Sequence, residues 1–125
     1  MTGFAPPAQD AFRTARTVVI ETSAGATRPI HRTVIWIVVD DADRVLVRSV
    51  RGTRGRWYRE LLASPDGAVH VAGTRIPVVA VPARDAERVA SCSAALAAKY
   101  RTSRGSVASM LRDEILDTTL ELRPA

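Results

Sequence analysis

Thr33-Val34-Ile35-Trp36-Ile37-Val38-Val39, then Asp40-Asp41-Ala42-Asp43, then Arg44-Val45-Leu46-Val47-Arg48-Ser49-Val50 is the stretch that decides the fold. From Val34 on, the first run is apolar at every position and rich in β-branched residues, the pattern of a strand buried on both faces. Four polar residues make a turn, and the second run returns as a strand, so the stretch reads as a hairpin. Upstream, strand-like text begins at Thr14. There Arg16, Val18 and Ile20 alternate with Thr17, Val19 and Glu21 until Ser23-Ala24-Gly25-Ala26 breaks the pattern. Downstream, Ala68–Ala72, a bend at Gly73-Thr74, and Arg75–Val81 form a second hairpin. Pro77 marks its last strand as an edge or a bulge. Thr118–Leu122 is a final short strand.

Helical text fills the gaps. Gly52 and Gly55 bracket the connection to a short helix whose Trp57, Tyr58, Leu61 and Leu62 share one face. That helix stops at Ser64, before Pro65. Residues 84–100 are helical, with Val89, Ser93, Leu96 and Tyr100 on one face, and Arg101–Gly105 breaks the pattern. Ser106–Leu116 is a further helix carrying Val107, Leu111 and Ile115. Residues 1–12 read as a loose N-terminal arm with one helical turn at Gln9–Arg13. The order β, β–β, α, β–β, α, α, β predicts a mainly β (α+β) single domain over residues 1–125. Its six-stranded antiparallel sheet curls into a small barrel flanked by two to three helices.

The 125 residues carry 18 Lys plus Arg against 13 Asp plus Glu, a net charge of +5. The excess is local. Arg44–Arg59 holds six Arg (Arg44, Arg48, Arg51, Arg54, Arg56, Arg59) and no acid, and without it 12 basic residues face 13 acidic ones. Lys99 is the only lysine. At 46% hydrophobic and 25% charged the chain is not disordered. Its longest apolar run, Val34–Val39, is too short to span a bilayer, and the N-terminus has no signal-peptide pattern. A single cysteine, Cys92, excludes an internal disulfide and a cysteine zinc site, and fits the reducing cytoplasm. Two histidines, His31 and His70, are too few for a histidine-rich metal centre, so no metal site is expected.

The stretch that points to chemistry is Val47-Arg48-Ser49-Val50-Arg51-Gly52-Thr53-Arg54-Gly55-Arg56-Trp57-Tyr58. A strand ends, a Gly- and Arg-rich loop follows, and a helix opens with two aromatics. Free N–H groups at a helix start favour an anion, and glycines let backbone approach it. Arg48, Arg51, Arg54 and Arg56 supply charge-assisted bonds, while Ser49 and Thr53 add hydroxyls. Trp57 and Tyr58 can flank a flat ring. A phosphate plus a planar group describes a nucleotide or a flavin-type cofactor. The competing reading is a solvated arginine loop beside a core aromatic pair. Elsewhere, His31 reads as a strand-start polar residue and His70 as solvent-facing. Cys92 and Tyr100 read as packing residues. Asp40, Asp41 and Asp43 lack EF-hand spacing. No catalytic residue is assigned.

The order Ser49, Gly52, Trp57, Tyr58, Leu61, Leu62, Pro65, followed by Val69 and Val71, resembles the flavin- and deazaflavin-dependent oxidoreductases of the FMN-binding split-barrel superfamily. This group is pyridoxamine-phosphate-oxidase-like and includes nitroreductase-family deazaflavin-dependent proteins; the chain looks closest to a small uncharacterised branch of it. The resemblance runs over residues 14–123 in strand order and is specific over 45–71. It implies a split barrel, with the cofactor phosphate on the segment Ser49–Trp57. The ring would lie near the first hairpin, at Thr33–Ile37 and Arg48, and the protein would be a dimer. Arg56 stands where a proline is usual in that family, and Ser64 where an asparagine is usual. The resemblance implies an oxidoreductase that binds FMN or the deazaflavin F-420 and passes a hydride to a small-molecule substrate. Two alternatives stay open. One is a non-enzymatic module whose arginine loop binds nucleic acid or an acidic partner, with steep salt dependence. The other is a dimer in which the arginines meet Asp113, Glu114, Asp117 and Glu121 of the partner.

Overall fold

The computed structural model describes residues 3–125. Helix α1 (Pro6–Thr14) leads into strands β1 (Val18–Ser23), β2 (Ile30–Ile35), β3 (Val38–Val39) and β4 (Val45–Val47). A 3-10 turn (Gly52–Arg54) and helix α2 (Arg56–Ala63) follow, then β5 (Asp66–Val71) and β6 (Thr74–Pro82). Helices α3 (Ala86–Lys99) and α4 (Arg104–Met110), a second 3-10 turn (Asp113–Thr118) and β7 (Leu120–Pro124) complete the chain. All pairings are antiparallel, in the order β2-β1-β5-β6-β7-β4-β3. The two outermost strands, β2 and β3, are consecutive pieces of one segment, Ile30–Val39, interrupted only at Trp36-Ile37. That segment pairs with β1 on one side and β4 on the other, so the sheet curls round until its edges meet. The mixed α+β expectation therefore holds at the level of a curled antiparallel sheet, with seven strands among the described residues rather than six. The bend at Trp36-Ile37 splits one predicted strand in two.

Two apolar clusters explain the buried runs. Inside the curl lie Val18, Ile20, Ile35, Ile37, Val45, Val47, Val69, Val78, Leu120 and Leu122, with Phe12 of α1 and Tyr58 and Leu61 of α2 among them. Outside, α3 and α4 cover Val38 and Leu46 with Cys92, Leu96, Tyr100, Val107 and Met110. Val45-Leu46-Val47 is apolar throughout because successive side chains enter different cores. Only the second half of the Val34–Val39 run behaves this way. Val34 is 65% exposed, because no helix covers the outer face of β2.

Several boundaries differ from the sequence expectation. The arm is a helix over Pro6–Thr14, with prolines in its first turn, where their missing N–H costs nothing. Phe12 is fully buried and meets Phe4 edge-on at 5.0 Å, which anchors the helix. The described residues thus form four α-helices rather than two or three. β1 begins at Val18, not Thr14. The helix expected over Ser106–Leu116 ends at Met110; Arg112 turns extended, its guanidinium donating to Val50 O (2.6 Å) and Ser109 O (2.8 Å). The final strand runs Leu120–Pro124 rather than Thr118–Leu122. Pro77 sits in an interior strand, neither edge nor bulge. Pairing with β7 begins only at Val78, so the missing proline N–H is tolerated there. No helix among the described residues is long and apolar enough to cross a membrane.

His70 does not face free solvent. Its Nε2 lies 2.8 Å from Glu21, and Arg75 donates to the other carboxylate oxygen at 2.8 Å. The hydrogen bond from Arg75, and after it that from His70, hold the largely buried Glu21 carboxyl at about 2 against an ordinary 4.5. A carboxylate whose pKa is depressed on folding stabilises the native state while ionised. That contribution is present above about pH 4.5 and is lost as the pH falls toward 2. The urea midpoint of the wild type should therefore drop more steeply across this window than that of Glu21→Gln.

Candidate functional site

Strand alternation places Arg44, Leu46 and Arg48 on the outer face of β4, beneath α3. The consequences differ by residue. Arg44 is neutralised: its Nε donates to Asp40 (2.8 Å) and its Nη atoms to Glu87 of α3 (2.6 and 3.0 Å). Arg48 is 2% exposed and meets only neutral acceptors. It donates to Thr119 Oγ1 (2.9 Å), Ser93 Oγ (3.0 Å), Met110 O (3.0 Å) and Val89 O (3.0 Å). The guanidinium therefore ties β4 to α3, the end of α4 and the start of β7. Burial lowers its pKa from the ordinary value, but a guanidinium keeps its charge at neutral pH. The result is a buried cation with no carboxylate beside it.

After Arg48 the chain turns sharply. Ser49 N–H donates to Thr118 Oγ1 (3.2 Å) and its hydroxyl to Gly52 O (2.8 Å), while Gly52 N–H returns to Ser49 O (3.0 Å). Gly52 has φ +63°, which only glycine adopts without strain, and a Cβ there would meet Ile115 at 3.2 Å. A Cβ on Gly55 would fall 2.3 Å from Ser49 Oγ. Both glycines thus admit protein atoms, which differs from the expected approach of backbone to an anion. Helix α2 then begins with no side-chain cap and no acid in its first turn. Its first-turn N–H groups remain free for an anion.

A cleft of about 620 Å³ opens over this turn. One side is formed by Arg48, Ser49, Val50, Arg51, Gly55, Arg56 and Trp57. Facing it are Thr17, the bend segment Thr33–Trp36, and Ser106, Ser109 and Met110 of α4. Among the described residues, no acid, histidine, cysteine or lysine lines it. Of the sequence-predicted site residues, Thr33, Arg48, Ser49, Arg51, Arg56 and Trp57 come together here. Gly52, Arg54 and Tyr58 do not line it. Gly52 is buried against Ile115, Arg54 points to solvent, and Tyr58 is a core residue whose Oη accepts from Arg84 (3.4 Å). Arg51, Arg54, Arg56 and Arg59 make no ion pair with any described residue. Asp113, Glu114, Asp117 and Glu121 are likewise not their partners within the chain; Glu121 holds Arg88 (2.9 Å) and Arg123 (3.2 Å).

Thr17 and the α4 residues of the cleft lie outside the sequence expectation, whereas Trp36 falls inside the Thr33–Ile37 segment that the resemblance places near the ring. By pattern alone Trp36 reads as part of an apolar run, and the hydroxyls of Thr17, Ser106 and Ser109 read as ordinary polar positions. The remaining singled-out residues lie elsewhere. His31 Nδ1 sits 2.8 Å from Glu60, whose other oxygen accepts from Thr22 (2.7 Å), a link between β2, α2 and β1. Cys92 is fully buried, and burial pushes its thiol up to about 11, which makes it unreactive. Asp40 organises its turn, accepting from Ala42 N, Arg44 N and Ser91 Oγ.

Arg48 is the residue whose loss reaches furthest. Arg48→Met should lower stability by about 2–3 kcal/mol, because it leaves buried acceptors such as Met110 O unpaired. Arg48→Lys should recover only part of this, since an ammonium cannot reproduce the planar fork. Urea unfolding of the two variants measures both effects.

Solved structures with similar folds carry diverse descriptions. HutZ, the heme storage protein from Vibrio cholerae, is 16% identical, with 98% of this chain and 91% of that one aligned at a TM-score of 0.69. An F420-H2 dependent reductase is 14% identical over 86% of this chain and 93% of its own, TM-score 0.62. A protein solved as a domain-swapped dimer is 13% identical over 86% and 79%, TM-score 0.61. At these identities the likeness is one of fold. No curated protein matches the sequence. Residues 9–122, nearly the whole chain, match the family described as "Uncharacterized protein conserved in bacteria (DUF2255)", and the chain belongs to that family.

Proposed function

We propose that the cleft binds a flavin-type cofactor, FMN or the deazaflavin F-420, and that the protein is an oxidoreductase that passes a hydride to a small-molecule substrate. The observation that carries this reading is the composition of the lining. Three arginines, several hydroxyls and two tryptophans face one volume, and no carboxylate is among them. Its size lies within the range of roughly 300–1,000 Å³ usual for cofactor sites. Arg51, Arg56 and the free N–H groups of α2 suit a phosphate, and Trp36 and Trp57 suit the faces of a planar ring. Thr17, Thr33, Ser106 and Ser109 can bond the ring's polar edge or the substrate. The buried charge of Arg48 favours electron-rich, anionic forms at the cleft floor.

When bound, such a cofactor supplies the hydride chemistry itself. The protein's part is to bind, orient and polarise, which fits a lining without an acid or base that titrates near neutrality. A heme fits less well. Axial ligation needs His, Cys, Met or Tyr, and Met110 alone of these lines the cleft. His31 and His70 are committed to Glu60 and Glu21.

The reading extends to a homodimer. Ile30 and Val34 stand 64% and 65% exposed on the uncovered face of β2, and Val34 also edges the cleft. A second copy on this face would bury both and narrow the cleft mouth. The similar fold of a domain-swapped dimer supports the pairing.

Titration of the purified protein with FMN and F-420, followed in the visible spectrum, should show saturable micromolar binding of at least one. Failure of both to bind ends the proposal. Arg51→Gln with Arg56→Gln should weaken FMN by at least about tenfold, the size of one lost charge-assisted bond, and leave riboflavin unaffected. In light scattering, Val34→Asp should move the wild-type dimer to monomer; a monomeric wild type removes the dimer from the reading.

A further inference from the structure

Trp36 occupies the break between β2 and β3, where no strand fixes its side chain. What fixes it is Tyr100, at the end of α3. The two rings stack at 3.8 Å between centroids and 5° between planes. Tyr100 is fully buried and does not line the cleft, whereas Trp36 does, so the indole is a layer between the phenol ring and the open volume. Tyr100 is itself locked. Its Oη donates to Arg16 O (2.8 Å) and accepts from Ile37 N–H (3.4 Å). Beside it, Lys99 Nζ donates to Ile37 O (2.7 Å) and Phe12 O (2.9 Å). Both backbone polar groups of the residue after Trp36 are thus held from the end of α3. The Arg16 guanidinium and Lys99 ammonium lie 5.5 and 5.3 Å from the Tyr100 centroid, within cation–π reach.

We propose that Tyr100 is a positioning residue, which holds the Trp36 indole in a fixed plane as the stacking wall for a planar ligand; this rests on the reading of the cleft given above. A partly buried indole at a chain bend keeps side-chain freedom that a ligand would have to freeze. A buried ring behind it removes that freedom beforehand, so a ring laid on the wall meets an ordered surface. The hydrogen bonds and ring contacts of Tyr100 go to Arg16, Trp36, Ile37 and Lys99, and none of these is at the anion end of the cleft, at Arg51, Arg56 and the start of α2. Loss of the phenol ring should therefore act on ring affinity and spare anion affinity.

The test compares Tyr100→Leu and Tyr100→Phe with the wild type. Tyr100→Leu should weaken FMN roughly three- to tenfold, the size of one side chain's ordering, with inorganic pyrophosphate binding unchanged. Tyr100→Phe keeps the stacking ring and should stay within about twofold of the wild type. In a Trp57→Phe background, which isolates Trp36 fluorescence, Tyr100→Leu should red-shift the emission and raise acrylamide quenching. FMN affinity unchanged in Tyr100→Leu overturns the proposal, as does unchanged Trp36 quenching. A parallel fall in pyrophosphate affinity also overturns it, because it reports general loosening. If Tyr100→Leu does not fold, Lys99→Met should give the same pattern at smaller size, and its absence there counts against the proposal equally. If the wild type takes up no FMN, the reading of the cleft fails, and Trp36 quenching alone decides the role of Tyr100.

Discussion

One chain segment, Ile30–Val39, must serve both edges of the sheet, and the rest of the structure follows from how it does so. Its first half pairs with β1 and its second half with β4, so the backbone bends between them. A bend in a strand takes N–H and C=O groups out of the ladder, and buried backbone groups must be paired elsewhere. Here the pairing comes from a different element. Tyr100 and Lys99, at the end of α3, bind the N–H and the carbonyl of Ile37. Lys99 also holds Phe12 O, which brings α1 to the same place. Burial, and secondarily Arg16, lowers the Lys99 ammonium to about 8, the cost of placing the only lysine there. The cleft is a product of the same bend, because Thr33–Trp36 form its wall.

Charge is organised around that geometry. The six arginines of Arg44–Arg59 look uniform in sequence and have three different fates. Arg44 is paired with two acids and serves the hairpin turn and α3. Arg48 is buried among neutral acceptors and joins β4 to α3, to the end of α4 and to the start of β7. The other four stay at the surface without carboxylate partners among the described residues. Only the last group, and within it Arg51 and Arg56, presents free donors to the cleft. A buried cation beneath two exposed ones gives a field of one sign, and the absence of acids in the lining leaves that field unopposed.

Legibility in the sequence tracks how local each cause is. The hairpins were readable because alternation, β-branched runs and turn residues act over a few neighbours. Helix α2 was readable from the spacing of Trp57, Tyr58 and Leu61, and the strand–loop–helix passage from its glycines. Of the helical arm only the turn at Gln9–Arg13 was readable, because its anchor, Phe12, finds its core partners in distant strands. The exposure of Val34 was missed because periodicity reports apolar character and not whether a helix arrives to cover it. Gly52 and Gly55 were identified as special positions, but the atoms they admit, Ile115 and Ser49 Oγ, are visible only after folding.

The sequence by itself determined the class of fold, the position of the cationic turn, and the gathering of arginines and an aromatic at one helix start. These depend on propensity, pattern and charge count, which are properties of short segments. Tertiary structure alone decided that Ile30–Val39 closes the sheet on itself, that Arg48 is buried while Arg51 and Arg56 are free, and that Trp36 rather than Tyr58 faces the cleft. Each of these outcomes rests on groups far apart in the chain, such as Arg48 with Met110 and Trp36 with Tyr100, which only packing brings within a few ångströms.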